Sequence, residues 1–269
     1  MELFENFLKI TLLPLGAVLV CGFIVWACKC VFMKLLGRHG YRAVMLSSVI
    51  GTPIHELGHA AMCLPFGHKI VKMVLWQPRS GDGTLGYVRH TYDPDNLYHR
   101  LGCLFISTGP IFSGVAVLSL LLFLSFPETW SSYISSVRPL VEQNAPIQEI
   151  LFRGLGMIPG LAREFGGASA PLWMQILSVV MMLSVSLHIT LSPQDLRSSL
   201  VALPPYLMIT LLVTLLTTLL GSGATGLVLS ALRTFHVFMM AMFSVVLVFA
   251  AVQAVLALAI HLLLRFLRK

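Results

Sequence analysis

Long apolar runs constrain this fold more than any other feature of the sequence. Several stretches of the 269-residue chain reach the roughly 20 residues that a helix needs to cross the hydrocarbon core of a bilayer. Only 11% of the residues are charged, whereas an ordinary soluble domain carries roughly 25%. The chain therefore lacks the charged residues that would cover a water-exposed surface. We expect an all-α polytopic membrane protein that is embedded in the lipid bilayer.

Six of the apolar runs predict transmembrane helices. They cover residues 11–33, 43–65, 101–126, 171–191, 203–220 and 236–264. The segment 127–170 is polar and interrupted by Pro and Gly, which predicts a sizeable loop with room for one short helix. The whole chain, 1–269, is expected to form a single membrane domain.

Residues 68–92 have a different pattern from the apolar runs on either side. The stretches "KIVKMVLW" (69–76) and "GYVRHTY" (86–92) are short and rich in β-branched and aromatic residues. The intervening "QPRSGDGTL" carries Pro, Ser, Gly and Asp, which are typical of turns. This segment therefore predicts a small β-hairpin.

The net charge of +7 is explained by membrane topology rather than by nucleic acid, because the Lys and Arg residues lie between and after the apolar runs. With six spans, both termini share one side of the membrane. That side then holds ten of the 18 Lys and Arg residues. The positive-inside rule predicts a multi-pass protein of the cell membrane with cytoplasmic termini.

Two other patterns favour structural interpretations. The five cysteines lie mostly in apolar runs and are expected to be free thiols. The stretch "GSGATG" (221–226) matches G-x-G-x-x-G but follows an apolar helix rather than the strand that a dinucleotide site requires. It predicts a break between the last two spans.

The stretch "IHELGHA" (54–60) carries chemistry within the second apolar run. His55 and His59 are four residues apart, so on a helix they lie on one face and can bind one Zn²⁺. Glu56 is offset around the helix and can reach a metal-bound water without being a ligand. A charged residue near the middle of a spanning helix costs about 2.5–3.5 kcal/mol. Binding of a metal ion at this position would account for its presence.

Zinc needs a third protein ligand, and the spacing leaves two candidates. They are His188 and Asp195, in "HITLSPQDLRSSL" (188–200). Asp195 is also suited to a structural role, because Ser192 is a good N-cap, Pro193 fits the first helical position and Asp195 stands at the third. His188 could instead support a ligand or pack as a polar residue. The residues alone leave these roles open.

These residues resemble the site-2 protease family of intramembrane zinc metalloproteases. The resemblance covers about residues 43–200 and rests on three features. They are "HELGH" in a spanning helix, "STGPIFSG" (107–114) in the next span, and an Asp after the third span of the core.

The resemblance implies a three-helix metalloprotease core over 43–200, with the hairpin 68–92 near the active site and peripheral spans in 1–42 and 201–269. It implies that His55, His59 and Asp195 hold Zn²⁺ and that Glu56 is the general base. The site would open at the cytoplasmic face.

Two departures from the family pattern concern the other site residues. The Asp lacks the following Gly that many members have. Ser107 and Ser113 stand three residues either side of Pro110, where many members have asparagines. We expect Pro110, Ser107, Ser113 and His188 to contact substrate or to support the metal ligands.

The predicted function is hydrolysis of peptide bonds in a membrane-embedded protein or peptide. The hairpin could pair with an unwound substrate strand or could plug the site. Two other classes remain open. A membrane metal transporter would carry polar ligands at several depths, and a non-catalytic scaffold would have no use for Glu56.

Overall fold

The computed structural model of the protein describes residues 1–78, 80–81, 83–143 and 145–267. Within these residues the chain forms ten α-helices and one antiparallel pair of strands. The helices are α1 Glu2–Leu36, α2 Arg38–Cys63, α3 Leu97–Ser125, α4 Pro127–Glu142, α5 Ile147–Leu155, α6 Met157–Glu164, α7 Leu172–Ser186, α8 Pro193–Val201, α9 Leu203–Leu220 and α10 Ser222–Phe266. The strands are β1 Lys69–Val74 and β2 Tyr87–Thr91.

Four of these helices are long and apolar enough to cross a bilayer, namely α1, α3, α9 and α10. The chain therefore has the character of a membrane protein. Helix α2 has 26 residues but carries the polar residues of the H-E-x-x-H motif. Helix α7 has only 15 residues, which gives a length of about 22 Å against a hydrocarbon core of about 30 Å.

The helix predicted over 171–191 ends earlier, at Ser186. Pro193 begins α8, and a residue before proline is disfavoured in the helical conformation. Ser192 is accordingly extended, with φ −76° and ψ 160°. Residues 187–192 thus form a short connection instead of the last turns of a span.

The loop prediction for 127–170 is wrong, because three helices, α4, α5 and α6, fill most of this segment. Helix α4 buries Tyr133, Val137 and Leu140, which are spaced i, i+4 and i+7 on one face. These side chains belong to the main core cluster. The segment is amphipathic rather than apolar, so a search for apolar runs does not detect it.

The main hydrophobic core lies between α1, α3 and α10. Ala17, Cys21, Ile111, Leu118 and Val245 are fully buried there. Helix α2 lies beside this core, in contact with α3 and α7, while α3 also contacts α8. This arrangement brings α2 and α8 to neighbouring sides of α3.

The predicted hairpin is confirmed. Ile70 pairs with His90 and Val74 with Tyr87, and a register shift separates Ile70 from Lys72. The hairpin lies along α2, because Trp76 Nε1 donates a hydrogen bond to Ser48 Oγ at 2.9 Å.

The predicted break before α10 and the predicted free cysteines are also confirmed. Gly221 has φ 99°, in the left-handed region that favours glycine, and separates α9 from α10. All five cysteines are free.

Candidate metal centre

His55, His59 and Asp195 converge on one point between α2 and α8. The Nε2 atoms of His55 and His59 are 3.2 Å apart. Asp195 Oδ1 lies 3.2 Å from His59 Nε2, and Asp195 Oδ2 lies 3.9 Å from His55 Nε2. His59 and Asp195 are buried, each 8% exposed. In the described part of the chain this is the only group of three or more His, Cys, Asp or Glu whose ligand atoms meet so closely.

Hydrogen bonds at the far side of each ring fix the tautomers of both histidines. His55 Nδ1 lies 2.7 Å from the carbonyl oxygen of His188, and His59 Nδ1 lies 2.7 Å from that of Ile106. A carbonyl oxygen only accepts hydrogen bonds, so each Nδ1 carries a proton, and in the neutral ring each Nε2 has a lone pair.

The two lone pairs and the carboxylate fit a cation. Without one, two Nε2 acceptors would face each other at 3.2 Å beside a buried negative charge, which is an unfavourable arrangement. If an ion lay at the Zn–N distance of about 2.05 Å from both nitrogens, the N–Zn–N angle would be about 100°, near the tetrahedral value. Metal-bound histidines usually donate their second ring N–H to a carbonyl or carboxylate, as both do here. The donor set therefore fits zinc.

The carbonyl that holds His59 is free because of a proline. In an α-helix the C=O of residue i accepts the N–H of residue i+4. Pro110 is four residues after Ile106 and has no N–H. The Ile106 carbonyl consequently lacks its helical partner inside α3 and accepts His59 Nδ1–H instead.

The carbonyl that holds His55 is free for a different reason. His188 lies beyond Ser186, the last residue of α7, where backbone carbonyls lose their helical partners. Its imidazole points elsewhere, with Nε2 3.1 Å from Ser47 Oγ. His188 therefore supports His55 through its backbone, and its side chain is not one of the converging groups.

Two glycines let the supporting segments approach α2. A Cβ at Gly58 would lie 2.6 Å from the backbone of Gly109 in α3, and a Cβ at Gly51 would lie 2.7 Å from the carbonyl oxygen of Ser184 in α7. Small residues at such crossings allow helix backbones to pack closely. The short hydrogen bonds to His55 and His59 depend on that proximity.

Asp195 lies at a helix cap and also faces the two histidines, so its position is compatible with both roles that the sequence left as alternatives. It stands at the third position of α8 in a capping box. Asp195 Oδ2 accepts the backbone N–H of Ser192 at 2.7 Å, and Ser192 Oγ accepts the backbone N–H of Asp195 at 3.1 Å. Oδ1 is the oxygen nearer to His59. The cap therefore holds the carboxylate where it faces the histidines.

Glu56 lies next to the group but is not among the three converging residues. It is buried, with 6% of its surface exposed. The hairpin covers it: a Cβ at Gly86 would lie 2.9 Å from Glu56 Cγ and 2.7 Å from Thr52 Cγ2. Only glycine allows the hairpin to lie this close to α2.

The other predicted site residues lie in α3. Ser113 Oγ donates to the Ile54 and Pro110 carbonyls at 2.8 and 3.1 Å, so it joins α3 to α2. Ser107 is buried, and its hydroxyl has no hydrogen-bond partner among the described residues. Pro110 acts through the carbonyl of Ile106.

The sequence predictions did not include the two supporting carbonyls or the hairpin histidines His68 and His90. A proline four residues after Ile106 was the available signal for one carbonyl. The other carbonyl depends on where α7 ends, and the histidine pair depends on the hairpin register. Comparisons of the chain with models of protein families, with curated proteins and with solved structures returned no significant match.

Proposed function

We propose that this protein is an intramembrane zinc metalloprotease that resembles the site-2 protease family. Its substrate would be a membrane-embedded protein or peptide. The observation that carries the proposal is the convergence of His55, His59 and Asp195 beside a buried Glu56, among apolar helices. Buried groups of this polarity are costly in such surroundings and are typical of functional sites.

The chemistry assigns a role to each side chain. Zinc, when bound, supplies a Lewis acid for the scissile carbonyl and lowers the pKa of its water to about 7. Glu56 accepts a proton from the attacking water and delivers it to the leaving amine nitrogen. Asp195 contributes the negative charge of the ligand set. The Ile106 and His188 carbonyls keep His55 and His59 oriented.

The hairpin controls access to these groups. It contacts α2 at Ser48 through Trp76 and reaches Thr52 and Glu56 at Gly86. This close cover favours the plug interpretation for the resting state. The backbone carbonyls of a helical substrate accept hydrogen bonds within its own helix, so the substrate must unwind locally. The hairpin must move away from α2 to make room for it. Once displaced, an edge of the hairpin is available to pair with the extended substrate.

The proposal includes a membrane arrangement. Helices α2, α3 and α7 would form the three-helix core within residues 43–200 and would give six spans together with α1, α9 and α10. Helix α7 is shorter than the hydrocarbon core, and local thinning of the bilayer accommodates such a short span. The 26 residues of α2 give it a length of about 39 Å, enough to cross the hydrocarbon core. The termini, the hairpin and the mouth of the site would face the cytoplasm.

Two alternative functions receive less support. A metal transporter would carry ligand groups at several depths, whereas the described residues hold a single group of three or more converging ligands. A non-catalytic scaffold would have no need to bury a carboxyl group at Glu56, which adds cost without ligating the metal.

The proposal is tested by Glu56→Gln in purified protein reconstituted into lipid vesicles with a panel of single-span helical peptides. Wild-type protein should cleave at least one peptide, and a zinc chelator should abolish that cleavage. The variant should keep its zinc and lose about 10²–10⁴-fold in rate, which is the usual contribution of a general base.

The matched control is Glu142→Gln, which replaces an exposed carboxylate of α4 that pairs with Arg138. This variant should cleave the peptides at the wild-type rate. Cleavage by Glu56→Gln at the wild-type rate would refute the role of Glu56. Loss of zinc together with activity would instead make Glu56 a ligand.

A further inference from the structure

A second pair of histidines meets at the hairpin, outside the group already described. His68 precedes β1, and His90 lies within β2. Their Nδ1 atoms are 2.9 Å apart, and their ring centroids are 4.8 Å apart. Two imidazole nitrogens that approach so closely share either a proton or a metal ion.

The tautomer of His68 is fixed in the way that a metal ligand requires. Its Nε2 lies 2.8 Å from the carbonyl oxygen of His99, so Nε2 carries the proton and Nδ1 presents a lone pair to His90. The Tyr92 ring stacks on the His68 ring, with centroids 4.7 Å apart and an interplanar angle of 16°. A carbonyl partner and a fixed ring plane are also what hold His55 and His59.

The pair lies at the hairpin, near the first metal centre. His90 is half-buried and close enough to His59 for their charges to interact. Its partner across the sheet, Ile70, is exposed. An ion bound by His68 and His90 would therefore stand between β2 and the start of the exposed strand β1, near the first centre.

We propose that His68 and His90 form a second, weaker binding site for a divalent transition-metal ion, and that the ion passes from it to His55, His59 and Asp195. The delivery step rests on the proposed function of that first centre, whereas binding by His68 and His90 does not. The separation of 2.9 Å corresponds to an angle of about 90° at an ion about 2.05 Å from both nitrogens. With two protein ligands, water completes the coordination, so the ion exchanges readily.

Zinc binding by metal-free, full-length protein in micelles tests the site, with a fluorescent chelator as competitor. Wild-type protein should bind two equivalents, one tightly and one more weakly. Asp195→Asn should lose the tight one and keep the weak one. His90→Gln should keep the tight one and weaken the second by more than about 100-fold, because even loss of a ligand's partner costs 10–100-fold.

His68→Gln should give the same result as His90→Gln, and melting temperatures report whether either variant is folded. The matched control is His39→Gln, which removes an exposed histidine at the start of α2 and should keep both equivalents. Absence of the weaker equivalent from the wild-type protein, or an unchanged weaker equivalent in both folded hairpin variants, would overturn the site. Equal loss in His39→Gln would show non-specific surface binding and would also overturn it.

Delivery is tested by the rate at which one equivalent of zinc fills the tight site. His90→Gln should slow filling by about tenfold or more, in line with the loss of a metal-binding group, while final occupancy stays at the wild-type level. If His90 had only a structural role, His90→Gln would not slow the filling of the tight site while leaving its final zinc occupancy unchanged. Filling at the wild-type rate would refute delivery. Absence of the tight equivalent from the wild-type protein would refute the first centre without bearing on the second.

Discussion

Replacing Pro110 with alanine should move stability and metal affinity in opposite directions. Pro110 leaves the Ile106 carbonyl without a helical partner, and His59 Nδ1 donates to that oxygen at 2.7 Å. Alanine would supply an N–H that competes for the same oxygen. The substitution therefore completes α3 while it weakens the support of His59.

The two effects have separable sizes. A proline in a helix interior destabilises the folded protein by about 3 kcal/mol relative to alanine. Alanine, however, gives the unfolded chain more conformational freedom, which reduces the gain in stability by about 0.4–1 kcal/mol. The metal-free protein should thus gain about 2 kcal/mol. Loss of a ligand's hydrogen-bond partner lowers metal affinity by about 10–100-fold. The Ile106 oxygen has two lone pairs and can retain part of its bond to His59, so we expect a decrease near tenfold.

The assay combines the melting temperature of metal-free protein with zinc affinity measured by chelator competition. Pro14→Ala is the matched control, because Pro14 also lies inside a helix, α1. The carbonyl four residues before it, that of Ile10, is not the one that holds His55 or His59. The control should raise the melting temperature and leave zinc affinity unchanged. Unchanged affinity in Pro110→Ala would refute this account of how His59 is held.

Two further predictions concern packing and acid stability. Gly58→Ala should destabilise the protein by about 1–3 kcal/mol in chemical denaturation, because the added Cβ meets the Gly109 backbone at 2.6 Å. In the control Gly226→Ala, in α10, the added Cβ meets nothing within 4 Å. The control should stabilise the protein by about 0.5–1 kcal/mol. Equal effects of the two would contradict the close crossing. Glu164→Gln should cost about 0.5–2 kcal/mol, since this carboxylate accepts the backbone N–H and the hydroxyl of Thr129 at 2.9 and 2.7 Å and caps α4. Burial alone would raise the pKa of Glu164, but these hydrogen bonds hold it below the ordinary 4.5. Its contribution is therefore complete above about pH 4.5 and is lost as the pH falls through the folded pKa, so denaturation of Glu164→Gln should depend less on pH in that range.

The sequence predicted the features that depend on local spacing. His55 and His59 lie on one helix face because four residues make about one turn. The hairpin follows from two short stretches rich in β-branched and aromatic residues on either side of a turn-forming segment. The capping box at Ser192 and Asp195 was also visible as a local pattern. Each of these needs only residues that are close in the chain.

Features that depend on contacts between distant segments were not predictable in this way. Helix α4 was not predicted because the residues of its buried face, such as Tyr133 and Val137, are separated by polar residues along the chain. The carbonyl of His188 is available only because α7 ends at Ser186. That Asp195 both caps α8 and faces His59 follows from the packing of α8 against α3, which no local pattern encodes.

The central claim is that His55, His59 and Asp195 together hold one zinc ion, and the zinc content of purified Asp195→Asn tests it most directly. The side-chain oxygen of asparagine can still accept the Ser192 N–H, so the variant keeps the capping box of α8 and removes the negative charge. His188→Ala is the comparison, because His188 supports His55 through its backbone carbonyl. We predict that Asp195→Asn loses its zinc, while its metal-free melting temperature stays near that of the wild type and His188→Ala retains zinc. Full zinc occupancy in Asp195→Asn, with loss in His188→Ala, would contradict the account.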